Sequence, residues 1–260
     1  MITYTAYRRL LDDFYNDLES VEATLAEITD DNVQLILHLN KIRFDLDGNG
    51  KAEIEITEID NLLGVSPKDL KDNPDIKVQF DRGDVAFLRA VYHLFMSLLD
   101  LMLVMDTEES FNINAQDLFA KNEHNFEGTP EEKWKKLKEV NATTYVKEPL
   151  RFNRFRMHLL AVCELNHEAF KFFQLEEDDY FEWLPNSSQK GCLEFQYPDE
   201  AIDELLAIID EFKKLLDGKK TLPRHWKFEK NGKGLNLKIY LTDPPKKHVV
   251  GSFPEEWPDM

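Results

Sequence analysis

Apolar residues recur at three- and four-residue spacing along several stretches of the chain, a pattern typical of amphipathic helices. The first stretch predicts a helix over residues 3–28. Its apolar positions are Tyr7, Leu10, Leu11, Phe14, Leu18, Val21 and Leu25. The start signal Thr29-Asp30-Asp31 and the segment after it predict a second helix that ends at Phe44.

The strongest helix is predicted over residues 84–106, with Asp84 as its cap. It is apolar on nearly every side, so we expect it to be the central helix. Further helices are predicted over 107–123, from Thr129-Pro130, from about Pro149, and up to Gly218 as a C-cap.

Strand signals are few. The segment "IKVQF" before the central helix predicts one short strand, and alternating residues over 219–245, around "KNGKG", predict a β hairpin. The fold class is therefore mainly α: a multi-helix single domain over residues 1–260, with long loops and a small hairpin near the C-terminus.

The net charge of −18 over 260 residues narrows the classes of partner. An acidic surface repels phosphate backbones and anionic lipid, so we expect neither nucleic acid nor a membrane as partner. An unknown protein or a small ligand is left. The charge also attracts cations, although maintaining solubility is its simplest explanation.

Neither a signal core nor a membrane span is indicated. The longest apolar run is interrupted by Arg89, His93 and Asp100, which favours a buried helix of a soluble protein. The sequence leaves open whether a leader has been removed. It also leaves open whether Cys163 and Cys192 pair.

The most specific motif is "DLDGNGKAE", which begins like a calcium loop of the EF-hand type. Such a loop places oxygen ligands at positions 1, 3, 5, 7, 9 and 12, and glycine at position 6. These positions correspond here to Asp45, Asp47, Asn49, the Lys51 carbonyl, Glu53 and Ile56, with Gly50 as the glycine.

The Ile56 side chain has no ligand atom, so the last ligand comes from Glu55, from Glu58 or from a carboxylate elsewhere in the fold, and Glu58 is our choice. Residues 31–65 therefore resemble an EF-hand, or a looser loop of the same type, which implies bound Ca²⁺. The alternative is an Asx-rich turn held by side-chain to backbone hydrogen bonds without an ion. A single incomplete loop favours a structural clip over a sensor.

Two further groups are candidates for ligand binding. His93 on the central helix, and Arg154 and His158 in the cluster Arg151–His158, are residue types that bind anions or transfer protons. Trp183 and Trp226 lie in loops where an aromatic ring can line a small-molecule site. The structural interpretation is that the polar residues pair internally, the arginines with acidic segments such as Glu176–Asp179, and that the tryptophans anchor loops.

The order of several segments is similar to that of a family of uncharacterised bacterial helical proteins. The segments are "DLDGNG", "RGDVAFLRAVYHLFMSLLD", "EWLPN" and "GKKTLPRHWKFEKNGKGLNLKIYL". The resemblance implies a helical fold and no particular activity.

Two functions are carried forward. The first is a non-enzymatic calcium-binding protein with a partner- or ligand-binding surface. The second is a hydrolase whose site joins the Arg151–His158 cluster to the loops of Trp183 and Trp226. The first is preferred because the sequence contains no recognisable catalytic constellation.

Overall fold

The computed structural model describes residues 2–45, 48–55, 75–119, 126–177, 181–189, 191, 198–222 and 234–244. In these ranges the chain forms seven α-helices and four short strands. The helices are α1 (Tyr4–Ala26), α2 (Arg82–Leu103), α3 (Glu108–Leu118), α4 (Pro130–Thr143), α5 (Leu150–Leu175), α6 (Asp199–Leu216) and α7 (Leu237–Thr242). The mainly α prediction is confirmed.

The chain divides into two compact units. The first takes the described residues of Met1–Ala23, Val91–Val162 and Glu211–Met260, and the second those of Thr24–Ala90 and Cys163–Asp210. The expectation of a single domain stays a prediction.

In the first unit, α1 packs antiparallel to α2. Tyr15 and Leu18 of α1 form a buried cluster with Met96 and Leu99 of α2. The Arg8 guanidinium, one turn into α1, donates to the Leu103 carbonyl at the end of α2 at 2.6 Å, which fixes the antiparallel direction. The predicted apolar stripe of α1 is only partly buried, since the neighbouring position Tyr15 takes the inward place and Phe14 stays exposed.

Helices α3 and α4 complete the described core of the first unit. Ile113 of α3 packs on Leu137 and Val140 of α4. Helix α4 starts with a capping box in which Thr129 and Glu132 exchange side-chain to backbone hydrogen bonds. Its start is therefore fixed by local sequence.

The second unit contains both small sheets. Strand β1 (Leu35–His38) pairs antiparallel with β4 (Lys77–Phe80), and β2 (Arg43–Phe44) pairs with β3 (Ile54–Glu55). The strand predicted at "IKVQF" is confirmed. The helix predicted over 31–44 is wrong, because pairing with β4, distant in sequence, overrides a local pattern that also suited a helix.

Close packing of α2 on α5 gives the second unit its helical core. Ala86 packs on Ala169, Phe170 and Phe173 in one buried cluster. A Cβ on Gly83 would lie 2.6 Å from the Phe173 ring, so only glycine fits at this contact. Cys163 of α5 is buried, and Cys192 lies outside the described residues, so whether the two pair stays open.

The predictions for the helix that ends at Gly218 and for the hairpin after it have different outcomes. Helix α6 ends as expected, and Gly218 has the positive φ of 72° that a C-cap glycine adopts. Leu222 and Leu235 form an isolated antiparallel bridge, but the next residues form α7. The position of the predicted hairpin over 219–245 is therefore not confirmed, and its residues 223–233 lie outside the described residues.

Helix α2 is the one helix in the described ranges that is long and apolar enough to cross a membrane. A core helix meets the same criteria, and α2 contains Asp100, which is fully buried and ion-paired. The finding is weak support for a membrane span.

Candidate metal centre

The start of α2 places the first carboxylate of a partly buried acidic cluster. The Asp81 carboxylate accepts from the Asp84 amide, and the Asp84 carboxylate accepts from the Asp81 amide, each at 3.1 Å. This reciprocal capping makes Asp81 the cap of α2 and corrects the prediction that Asp84 alone has that role. The helix start therefore fixes the backbone of Asp81.

The second carboxylate, Glu182, lies beside strand β4. Gln79 forms a parallel bridge with Glu182, and its amide donates to the Phe181 carbonyl at 2.9 Å. Phe181 has a φ of 61°, a left-handed conformation that is costly for a bulky residue. The turn at Phe181 leads directly into Glu182, which is buried.

The third carboxylate, Glu176, follows the last residue of α5. The Asn186 side-chain amide donates to the carbonyls of Phe173 and Glu176 at 2.8 and 3.1 Å. These bonds satisfy two of the carbonyl groups that the end of a helix leaves without partners. The Gln189 side-chain oxygen accepts from the Asn186 backbone amide at 2.8 Å, so this loop anchors the end of α5.

Together, Asp81, Glu176 and Glu182 bring three carboxylate oxygens within 4.8 Å of one another. Burial, together with a hydrogen bond to Asp81 and the Asp81 charge, raises the pKa of Glu176. Burial, reinforced by the charge of Asp81, raises the pKa of the neighbouring Asp84 to about 8. The Asp84 Oδ1 atom is buried without a hydrogen-bond partner. The cluster is thus an acidic site in which burial and neighbouring carboxylates disfavour further negative charge.

A cavity of about 480 Å³ opens onto this cluster. Asp81 and Glu176 line it, together with Asp31, Glu177 and Arg82. Arg82 contributes the opposite charge, and its guanidinium bonds to Glu168 and to the Ile28 carbonyl. The charged side chains that line the cavity are therefore mainly acidic.

The calcium-like loop joins two paired strands. The Asp45 carboxylate accepts from the amides of Asn49 and Gly50 at 3.1 and 2.8 Å, and Asn49 Oδ1 accepts from the Lys51 amide at 2.8 Å. Gly48 and Gly50 both have positive φ. These bonds are those of an Asx-type turn, which is compatible with either alternative for the loop.

Several ligands predicted for this loop cannot be placed. Asp47 and Glu58 lie outside the described residues. Glu53 is exposed after the turn. The calcium loop, and its resemblance to an EF-hand, therefore stay predictions.

The predicted arginine and histidine ligands meet in the first unit, where they bond to each other and to acids. Arg154 donates to Asp100 at 2.5 Å, and Arg151 donates to Asp100 at 3.0 Å and to Asp12 at 2.6 Å. His93 and His158 share a hydrogen bond of 2.8 Å between their Nδ1 atoms. Arg151 and Arg154 thus pair internally, with Asp12 and Asp100. The segment Glu176–Asp179, which was predicted for this role, lies partly outside the described residues.

The two histidines belong to a chain of hydrogen bonds. The Tyr15 hydroxyl lies 2.7 Å from His158 Nε2, and His93 Nε2 lies 3.5 Å from a Glu22 oxygen. The Glu22 carboxylate can only accept, which sets the direction of every hydrogen bond in the chain. Tyr15 then donates to His158, His158 donates to His93, and His93 donates to Glu22. Both rings are neutral in this arrangement. Burial and the neighbouring His93 lower the pKa of His158 to about 4.

The tryptophan loops have different outcomes. Trp183 lies in the second unit, where its ring packs on Phe80 and Phe87 with centroids 5.1 and 5.9 Å apart. Its role there is to anchor the loop that carries Glu182. Trp226 lies outside the described residues.

The comparisons with known proteins give no family. No family model matches the chain, no curated protein matches it, and no solved structure matches it. The resemblance to a family of bacterial helical proteins therefore stays a prediction.

The carboxylate cluster is the candidate site that sequence reasoning missed. Asp81 lies more than ninety positions before Glu176, and no spacing motif links them. The one local signal is "DRGD", residues 81–84, in which two acids three residues apart indicate a helix cap. Only the packing of α2 on α5 brings these acids together.

Proposed function

We propose that this protein binds a divalent cation, and that the ion is held by Asp81, Glu176 and Glu182. The observation that supports this proposal is the convergence of three carboxylate oxygens within 4.8 Å. Ca²⁺ binds oxygen at 2.3–2.6 Å, so one ion can contact atoms that lie up to about 5.2 Å apart, which includes the oxygens of this cluster. Mg²⁺, with bonds of 2.0–2.1 Å, fits only separations up to about 4.2 Å, whereas Ca²⁺ fits the whole range up to 4.8 Å, so Ca²⁺ is the ion that we propose.

The surroundings of the cluster support an ion of this kind. Ca²⁺ takes six to eight oxygen ligands, some of them water. The cavity beside Asp81 and Glu176 gives room for such waters and a path for the ion to enter. Like charges in a buried position repel each other, and a bound cation removes that repulsion.

A structural role for the ion is the form of this proposal. The three ligands come from the start of α2, the end of α5 and the segment beside β4. An ion at their meeting point would tie these elements of the second unit together. The arginines of the hydrolase hypothesis bond to carboxylates and its two histidines bond to each other, so their geometry adds no support to an enzymatic function. A soluble protein is the matching expectation, since α2 contains buried, paired Asp100.

Calcium-dependent stability tests the proposal. At a free Ca²⁺ concentration of about 100 Kd, ligand linkage adds about 2.7 kcal/mol to the free energy of unfolding. For a chain of this length that corresponds to a rise in Tm of roughly 5–10 °C. The measurement is a thermal melt in CaCl₂ and in EDTA.

Three variants locate the ion. Glu176→Gln and Glu182→Gln should abolish the calcium shift while leaving stability in EDTA equal or higher, because each removes a carboxylate from a site where neighbouring acids disfavour one. Glu177→Gln is the matched control, since Glu177 lines the same cavity but lies outside the cluster, and it should keep the shift.

Asp45→Ala separates the cluster from the predicted calcium loop. If Asp45→Ala removes the shift and the two cluster variants keep it, the ion belongs to the loop and the assignment to the cluster is wrong. If calcium leaves the Tm of the unmodified protein unchanged, both sites are refuted.

A further inference from the structure

An apolar stripe lies along the second half of α2, within the first unit. It consists of Leu94, Phe95, Leu98, Leu101 and Met102, and we call it the Leu98 stripe. Each of these side chains is 42–46% exposed. Large apolar side chains on a buried helix are usually covered, so a continuous half-exposed row indicates a surface that binds something.

The stripe faces away from the helices that pack on α2. Met96 and Leu99 face α1 in the cluster with Tyr15, and Asp100 bonds to Arg151 of α5. The Leu98 stripe occupies the remaining sector of the helix. In the described part of the chain, this sector has no packing partner in any of the buried clusters.

The spacing of the stripe is symmetric about Leu98. Leu94 and Phe95 lie four and three residues before it, and Leu101 and Met102 lie three and four residues after it. Two copies of such a helix can cross antiparallel about a twofold axis at Leu98. Leu94 and Phe95 of one copy then pack on Leu101 and Met102 of the other. A self-complementary surface of this kind is what a twofold interface requires.

Charge allows a second copy to bind at this face. The chain carries a net charge of −18, so most of its surface repels a second copy. Within residues 91–103 the one acid is Asp100, which is fully buried and paired with arginine. Two stripes can therefore meet without bringing carboxylates together. An anionic membrane gains nothing from this face, which has no basic residue in the stripe.

Apolar side chains of α1 widen the surface on the same side. Asp12 bonds to Arg151 of α5, and the opposite side of α1 exposes Leu10, Phe14 and Val21. Both exposed rows therefore face away from α5.

The area matches what a stable dimer needs. At nearly half exposure, the five residues of the Leu98 stripe offer about 400 Å² of apolar surface, taking roughly 200 Å² for a fully exposed large side chain. A standard interface buries about 800 Å² per partner, of which about 450 Å² is apolar. With the row on α1, the available apolar area exceeds that amount.

We propose that the Leu98 stripe is the interface of a twofold-symmetric dimer of this chain. Sedimentation equilibrium of the full chain should give a mass near twice the 30.5 kDa of one copy. Leu98→Glu places two carboxylates against each other on the axis, and it should yield the monomer mass at the same concentrations. Ile208→Glu is the matched control, because Ile208 is an exposed apolar residue of α6 outside the stripe, and it should stay dimeric.

A cross-linking experiment tests the symmetry itself. Leu98→Cys, oxidised at low protein concentration, should form a covalent dimer, whereas Trp134→Cys, exposed on α4, should not. Circular dichroism of each variant establishes that it folds. A monomer mass for the unmodified protein up to about 100 µM would overturn the proposal, as mass action favours association there. So would a Leu98→Glu variant that is folded and still dimeric, or binding of the unmodified monomer to neutral vesicles that Leu98→Glu abolishes.

Discussion

Acid should destabilise this protein through His158. This histidine is partly buried between α1, α2 and α5, and it lies beside His93, Tyr15, Asp100 and Arg154. Burial and His93 lower its pKa from 6.5 to about 4. The folded state therefore binds a proton less readily than the unfolded state, and the stability present above pH 6.5 is lost as the pH falls toward 4.

The size of the effect follows from the two pKa values. With a pKa of 6.5 in the unfolded chain and about 4 in the folded chain, linkage gives a loss of about 2.4 kcal/mol between about pH 7 and pH 4.5. Protonation also breaks the hydrogen-bond chain, since His158 can then no longer accept from Tyr15. Most of the loss should fall between about pH 6 and pH 4.5.

Urea unfolding at each pH measures this loss, and His158→Gln isolates it. The variant should be less stable at neutral pH because it loses packing and hydrogen bonds, but its stability should fall with acid by about 2 kcal/mol less than that of the unmodified protein. His167→Gln is the control, since His167 is on the same helix but pairs with Asp210 at the surface. Equal acid dependence of the unmodified protein and His158→Gln would refute the reasoning.

Two further substitutions test the packing that supports the acidic cluster. Gly83→Ala should lower the free energy of unfolding by about 1–3 kcal/mol in urea melts, because the added methyl group overlaps the Phe173 ring, and an unchanged midpoint would contradict the close contact. Asn186→Ala should cost about 1–3 kcal/mol, because the carbonyls of Phe173 and Glu176 lose their donor; Ser187→Ala, one position further along, is its control and should change stability much less.

Sequence periodicity was sufficient for most helices. The apolar rows of α1, α2 and α5 and the capping box of α4 are local signals, and each helix lies close to where its signal predicts. Gly218 ends α6 as its position after an apolar row indicates. These features depend on residues three or four positions apart, and such residues are neighbours in any helix.

Local sequence patterns could not predict strand β1 or which residues of α1 face inward. Residues 35–38 form β1 because β4 pairs with them from about forty positions away. On α1, Tyr15 is buried and Phe14 exposed, a choice between adjacent apolar residues that depends on where α2 packs. Tertiary contacts decide between such alternatives when the local free-energy difference is small.

The candidate sites divide in the same way. The sequence by itself determined the loop motif around Asp45 and the presence of an apolar central helix, since both depend on residues adjacent in the chain. Only the tertiary structure decided that Asp81, Glu176 and Glu182 meet, and that the Leu98 stripe is left exposed. The physical reason is that the packing of distant segments decides which carboxylates meet and which helix face stays exposed. The spacing of residues along the chain carries no information about that packing.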